Sequence, residues 1–156
     1  MSSEPSRRVA MAPFTLLGVA AIVAGGILAA RISAQPWPTV VWLVAYLVLV
    51  VGVAQYALGL GQARLAARAP SLLFIALEWF VFNLGNAGVI AGTLAGHFHW
   101  VVAGSILVII AMLAFAWGAL GNRHHLLWRV GYYALVALIF ASALVGLVLS
   151  FNHSGI

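Results

Sequence analysis

Residues 37–60 read WPTVVWLVAYLVLVVGVAQYALGL. The run from Trp37 to Leu60 has no charged side chain and a single strongly polar one, Gln55. About 20 apolar residues in a helix rising 1.5 Å per residue cross a bilayer core of about 30 Å. Hydrocarbon offers the backbone no hydrogen-bonding partner, so a run of this kind spans as a helix that satisfies its own N–H and C=O groups.

Four more such runs flank it, at Met11–Ala30, Ser71–Ala95, Trp100–Leu120 and Trp128–Ser150. The separators, RISAQP (31–36), GQARLAARAP (61–70), GHFH (96–99) and GNRHHLL (121–127), read as turns. Trp37, Trp100 and Trp128 begin their runs, at the headgroup level that suits an indole. The first run follows a basic pair and precedes Ile32-Ser33-Ala34. It is too long for a signal core and ends in a poor cleavage site, so it reads as a retained helix.

Composition agrees. The 156 residues are 65% hydrophobic and 6% charged, and the mean hydropathy is +1.16. A soluble domain carries about 25% charged residues, so the surplus apolar surface here must face lipid. The net charge of +5 comes from scattered arginines rather than a basic face, which argues against nucleic acid. With no cysteine there is no disulfide, thiolate metal site or cysteine nucleophile. The expected fold is an all-α integral membrane bundle of five transmembrane helices: a tail at 1–10, one transmembrane domain at 11–150 and a second tail at 151–156.

The arginines set the orientation. Arg7, Arg8, Arg64, Arg68, Arg123 and Arg129 fall on one side of the five-span arrangement, and only Arg31 on the other. By the positive-inside rule the N-terminus is cytoplasmic and the C-terminus outside. The expected location is the inner (plasma) membrane. His97, His99 and His153 then share the outer face, and His124 and His125 lie on the inner one.

The third run holds most of the information. Gly88, Gly92 and Gly96 are spaced four apart, a ridge of small residues that lets another backbone approach closely. This run is expected to be the packing hub or an oligomer seam, and Ser142 with Gly146 forms a second ridge that could face it. The same run carries Glu78, the only acid outside the N-terminal tail. It lies about 10 Å from the helix start at 1.5 Å per residue. A carboxyl group there must be protonated or find a partner. Gln55 is the expected partner, and Asn83 and Asn86 extend a polar track outward. Glu78 is either a proton or ion site or a hydrogen-bonded packing device.

His97 and His99 lie two residues apart. In an extended turn both could hold one metal, with His153 as a third ligand. In a helix they point about 200° apart. Residues 96–107, GHFHWVVAGSIL, resemble the His-Phe-His-Tyr segment of heme–copper oxidase subunit I. In that family one histidine binds the low-spin heme and the other the oxygen-reducing heme. The resemblance implies a heme or transition metal at His97 or His99. The chain departs from the family pattern in having no histidine in its first two runs and in placing its His-His pair, His124-His125, after the segment. This excludes complete oxidase chemistry and leaves one heme or metal, shared across a dimer in one version. The alternative is an interfacial turn in which His, Phe and Trp sit among headgroups.

Gly-rich phosphate loops, Ser-His-Asp sets and HExxH are absent. With Glu4 in the tail, no pair of carboxyl groups exists in the bundle for acid–base work, and an enzyme is not expected. Three functions are left: a heme- or metal-associated redox accessory protein using His97 and His99, a proton-coupled transporter or channel built around Glu78, and a non-catalytic accessory subunit. Lipid is the expected surrounding, and self-association or a membrane-complex partner is expected.

Overall fold

The computed structural model describes the backbone of residues 4–66, 71–120 and 126–153, and the side chains of residues 11–66, 71–120, 126–148 and 151. Arg68, Arg123, His124 and His125 lie outside the described residues, as do the side chains of Arg7, Arg8 and His153.

The described residues form helices joined by short connections, with no strand among them: α1 (Glu4–Ile32), α2 (Pro38–Tyr46), a π-helical segment (Leu47–Ala54), α3 (Gln55–Leu65), α4 (Leu72–Ala95), α5 (Phe98–Gly118) and α6 (Leu126–His153). The stretch Pro38–Leu65 is continuous and forms the second span. Five helices among the described residues are long and apolar enough to cross a membrane. Their outer surfaces are apolar: Leu16 is 72% exposed and Leu113 60%. Such a surface is unfavourable in water and at home in lipid.

Several helix ends differ from those expected. The first helix begins at Glu4 rather than Met11. The second span runs to Leu65, past the glycine expected to open a loop, because Gly-Gln-Ala-Arg-Leu loses hydropathy but keeps mostly good helix formers. Ser71 caps α4, its Oγ accepting from Phe74 N at 3.2 Å. At the other end Gly96 adopts a left-handed conformation, φ 68°, and His97 N donates back to Gly92 O at 2.8 Å. This is a glycine-terminated helix end. His97 is the N-cap of α5, so His99 already lies in the first turn of that helix.

Close approach of glycines builds two helix pairs. Spans one and two meet where a Cβ on Gly52 would lie 2.5 Å from Ile22 Cγ1 and one on Gly25 2.6 Å from Val48 Cγ2. The α4–α5 pair is the most extensive contact in the molecule. There Gly85, Gly88 and Gly92 of α4 meet Gly104 and Val101 of α5 almost backbone to backbone. Gly88 and Gly92 of the expected ridge therefore pack inside the chain, whereas Gly96 does not join them: it is the left-handed end of α4, and nothing lies within 4 Å of where its Cβ would stand. Ser142 and Gly146 do not pack against the ridge. They face it across an opening, and nothing lies within 4 Å of where a Cβ on Gly146 would stand.

The apolar core lies toward the Arg64 end. Phe14, Leu58, Phe82, Met112 and Phe115 are each at most 1% exposed. Phe115 receives Phe14 at 5.5 Å and Phe82 at 6.0 Å between ring centroids, both edge to face. Trp79 Nε1 donates to Pro13 O at 3.2 Å, joining α4 to α1. Helix α6 closes this end. A Cβ on Gly61 would overlap the Tyr132 ring, Tyr132 Oη donates to Phe115 O at 3.1 Å, and the Arg64 guanidinium lies 4.9 Å from the Trp128 ring centroid. Tyr132 is thus a core residue, 5% exposed, rather than the interfacial anchor its place near a helix start suggests.

Candidate functional site

Two polar pairs lie inside the bundle. The first is Glu78 with Gln62, respectively 2% and 3% exposed. Gln62 Nε2 donates to both carboxyl oxygens, at 2.9 Å to Oε1 and 2.8 Å to Oε2. Gln62, not Gln55, is therefore the partner of Glu78. It belongs to the extra turn of α3 that the sequence reads as loop, and from there its long side chain reaches the acid. Gly118 covers the pair: a Cβ there would overlap the Gln62 amide and stand 3.4 Å from Glu78 Oε1. The glycine leaves room for the amide between α5 and α4.

The second pair is Tyr46 with Asn86. Tyr46 Oη donates to Asn86 Oδ1 at 2.8 Å, and Asn86 Nδ2 donates to Phe82 O at 2.8 Å. Asn86 is thereby satisfied on both sides while 1% exposed. Asn83 joins neither pair through these bonds; its amide donates to Trp79 O at 2.7 Å, one turn back on its own helix. Glu78, Phe82 and Asn86 share one stripe of α4, four residues apart. The expected continuous polar track is therefore interrupted by Phe82, which is fully buried against Phe115.

Gln55 is fully buried, and neither its Oε1 nor its Nε2 has a hydrogen-bond partner. It stands where the π-helical segment gives way to α3. Buried amides are nearly always bonded, and short π-helical turns are frequent at functional sites.

Toward the Gly96 end the second span and α6 part. Helix α6 packs on α3; along α2 and the π-helical segment the gap opens into a cavity of about 850 Å³. Its walls come from all spans but the first. They are apolar, with Trp42, Tyr46, Thr93, Ser105 and Ser142 as the polar contributors, and no charged residue lines them. The Phe14–Phe115–Phe82 layer lies between this cavity and the Glu78–Gln62 pair.

The histidine segment stands apart from both. His97 and His99 are exposed. Their rings lie 5.5 Å from Trp100 and 6.0 Å from Phe98, respectively, between centroids. Among the described residues no three His, Asp or Glu side chains come together as a metal site. Phe98, between the two histidines, lines the cavity rim.

No known protein family, curated protein or solved structure matches the chain.

Proposed function

We propose that the protein is a small proton-linked membrane carrier in which Glu78 gains and loses the proton. The observation that carries this reading is the division of the bundle. A buried acid is sealed at one end, a cavity opens at the other, and a layer of three phenylalanines stands between them. Acids inside the membrane are costly and mark proton or substrate paths by default. A carrier needs a site reachable from one side at a time. In this reading the Phe82–Phe115 contact is the closed gate, and the arrangement is the state open away from the acid. With the orientation expected from the positive-inside rule, this reading has the acid toward the cytoplasm and the cavity toward the outer leaflet of the inner membrane.

The heme or metal reading of His97 and His99 has less support. The two rings are exposed, each lies beside an aromatic neighbour, and the third expected ligand, the His153 side chain, is outside the described residues.

Proton flux tests the carrier reading. The purified protein is placed in liposomes holding a pH-sensitive dye, and a potassium diffusion potential draws protons inward. Wild type is expected to acidify the lumen faster than protein-free liposomes, and Glu78→Gln to match protein-free liposomes while keeping its helical circular dichroism spectrum. Equal flux from wild type and Glu78→Gln would remove Glu78 from any proton path.

A further inference from the structure

We propose that the cavity between α2 and α6 binds an uncharged amphipathic lipid, loaded sideways from the bilayer. The proposal supplies the substrate class for the carrier reading and rests on it for its purpose, but it is read by binding alone.

The mouth gives the route. Leu49 and Val53 on one lip and Leu138 on the other line the cavity, yet they are 61%, 48% and 64% exposed. A residue that is both wall and membrane surface marks an opening onto lipid, so an occupant enters from the membrane. The volume of about 850 Å³ falls within the roughly 300–1,000 Å³ typical of small-molecule sites, which are mostly apolar with a few placed polar groups.

The lining gives the chemistry. An apolar cavity without a charged residue penalises an ionised head heavily, since nothing pairs with it. It does offer hydroxyl groups. Ser105 lies seven residues into α5 and Tyr46 eight residues into the second span, about 10 Å and 12 Å from their helix starts at 1.5 Å per residue. Ser142 of α6 lines the same cavity. Ser105 is 3% exposed, and the Tyr46 hydroxyl is fixed by its bond to Asn86 and keeps its oxygen as an acceptor. Hydroxyl or ester groups on a ligand suit these partners. Beyond them Ala54, Val108, Leu135 and Ile139 continue the wall without polar atoms, as an acyl chain requires. One small neutral head and one chain match this sequence of surfaces.

The test is photolabelling of the full chain in phosphatidylcholine liposomes. The probe is a monoacylglycerol carrying a diazirine in its chain; the comparison is its phosphate ester, which has the same chain and a charged head. Labelled peptides are mapped by mass spectrometry. The monoacylglycerol is expected to label Leu49, Val53, Leu138 or Ile139 saturably and to be displaced by unmodified monoacylglycerol. The phosphate ester should label these positions at least about tenfold less, because an unpaired charge is excluded. Gly146→Phe fills the cavity from a position with no atom within 4 Å of its new Cβ, so labelling should fall while the circular dichroism spectrum stays. Glu78→Gln should label like wild type, which separates a failure of binding from a failure of proton transport. Three results would overturn the proposal: labelling spread without saturation over lipid-facing Leu16 and Leu113, equal labelling by the phosphate ester, or cross-links showing that a second copy of the chain fills the opening. Displacement by unmodified monoacylglycerol decides the matter independently if Gly146→Phe fails to fold.

Discussion

Gly104→Ala adds one methyl group where α4 and α5 approach backbone to backbone. The new Cβ would stand 2.5 Å from Val89 N, 2.6 Å from Gly85 O and 2.9 Å from the Gly88 carbonyl carbon. All three are backbone atoms of α4, so no rotamer change relieves the overlap. Moving the nearest of them from 2.5 Å to ordinary contact at 3.4 Å requires α4 and α5 to separate by about 0.9 Å. That separation loosens the other close contacts of the pair, Gly85 on Val108 and Gly92 on Val101. Overpacking of this kind costs about 1–3 kcal/mol, and the rigid backbone partners place Gly104→Ala at the upper end. Gly146→Ala is the control, the same methyl group on a helix where nothing lies within 4 Å. Helix propensity alone would stabilise it by up to about 1 kcal/mol. Unfolding of both variants in mixed detergent micelles, followed by circular dichroism, gives the comparison. If Gly104→Ala is as stable as Gly146→Ala, the backbone-to-backbone packing of α4 on α5 is wrong.

Gly118→Ala should push the Gln62 amide off Glu78, and losing a hydrogen bond to a buried acid costs about 1–3 kcal/mol; Gln62→Leu, measured by the same unfolding assay, should cost a similar amount, and no loss in either would mean that the pair does not hold the helices together. A C-terminal alkaline phosphatase fusion should be active and a green fluorescent protein fusion dark, as five spans with a cytoplasmic N-terminus require; the reverse pattern would refute the orientation read from the arginines. Elemental analysis of protein expressed with heme and metals supplied should find no stoichiometric iron, copper or zinc, whereas a Soret band lost in both His97→Ala and His99→Ala would establish the heme reading.

Hydropathy and residue spacing carry the architecture far. The apolar runs give the spans because the bilayer fixes their length, and the glycine spacing in α4 marks the helix that packs most closely. The sequence is less informative where geometry depends on how helices diverge. Gln62 looks like loop because Gly61, Gln62 and Arg64 lower the hydropathy of a segment that is still helical. Gln55 lies in the apolar run and looks like the partner for the acid, yet its amide is left unbonded. Ser142 and Gly146 have the spacing of a packing ridge but border open space, since α6 packs on the second span toward the Arg64 end and the cavity lies beyond. The cavity itself has no sequence signature. It arises from helix divergence beside the π-helical segment, and its lining is drawn one or two residues at a time from four spans.

The most direct test joins the two compartments in one assay. Wild type, Glu78→Gln and Gly146→Phe are placed in separate liposomes containing monoacylglycerol, with an imposed pH gradient and a trapped pH-sensitive dye. A carrier that couples the cavity to the acid predicts that monoacylglycerol raises the proton flux of wild type above its basal rate, that Glu78→Gln shows no flux although it still binds the lipid, and that Gly146→Phe, which does not bind it, stays at the basal rate. Lipid-dependent proton movement in Glu78→Gln at the wild-type rate would contradict the account.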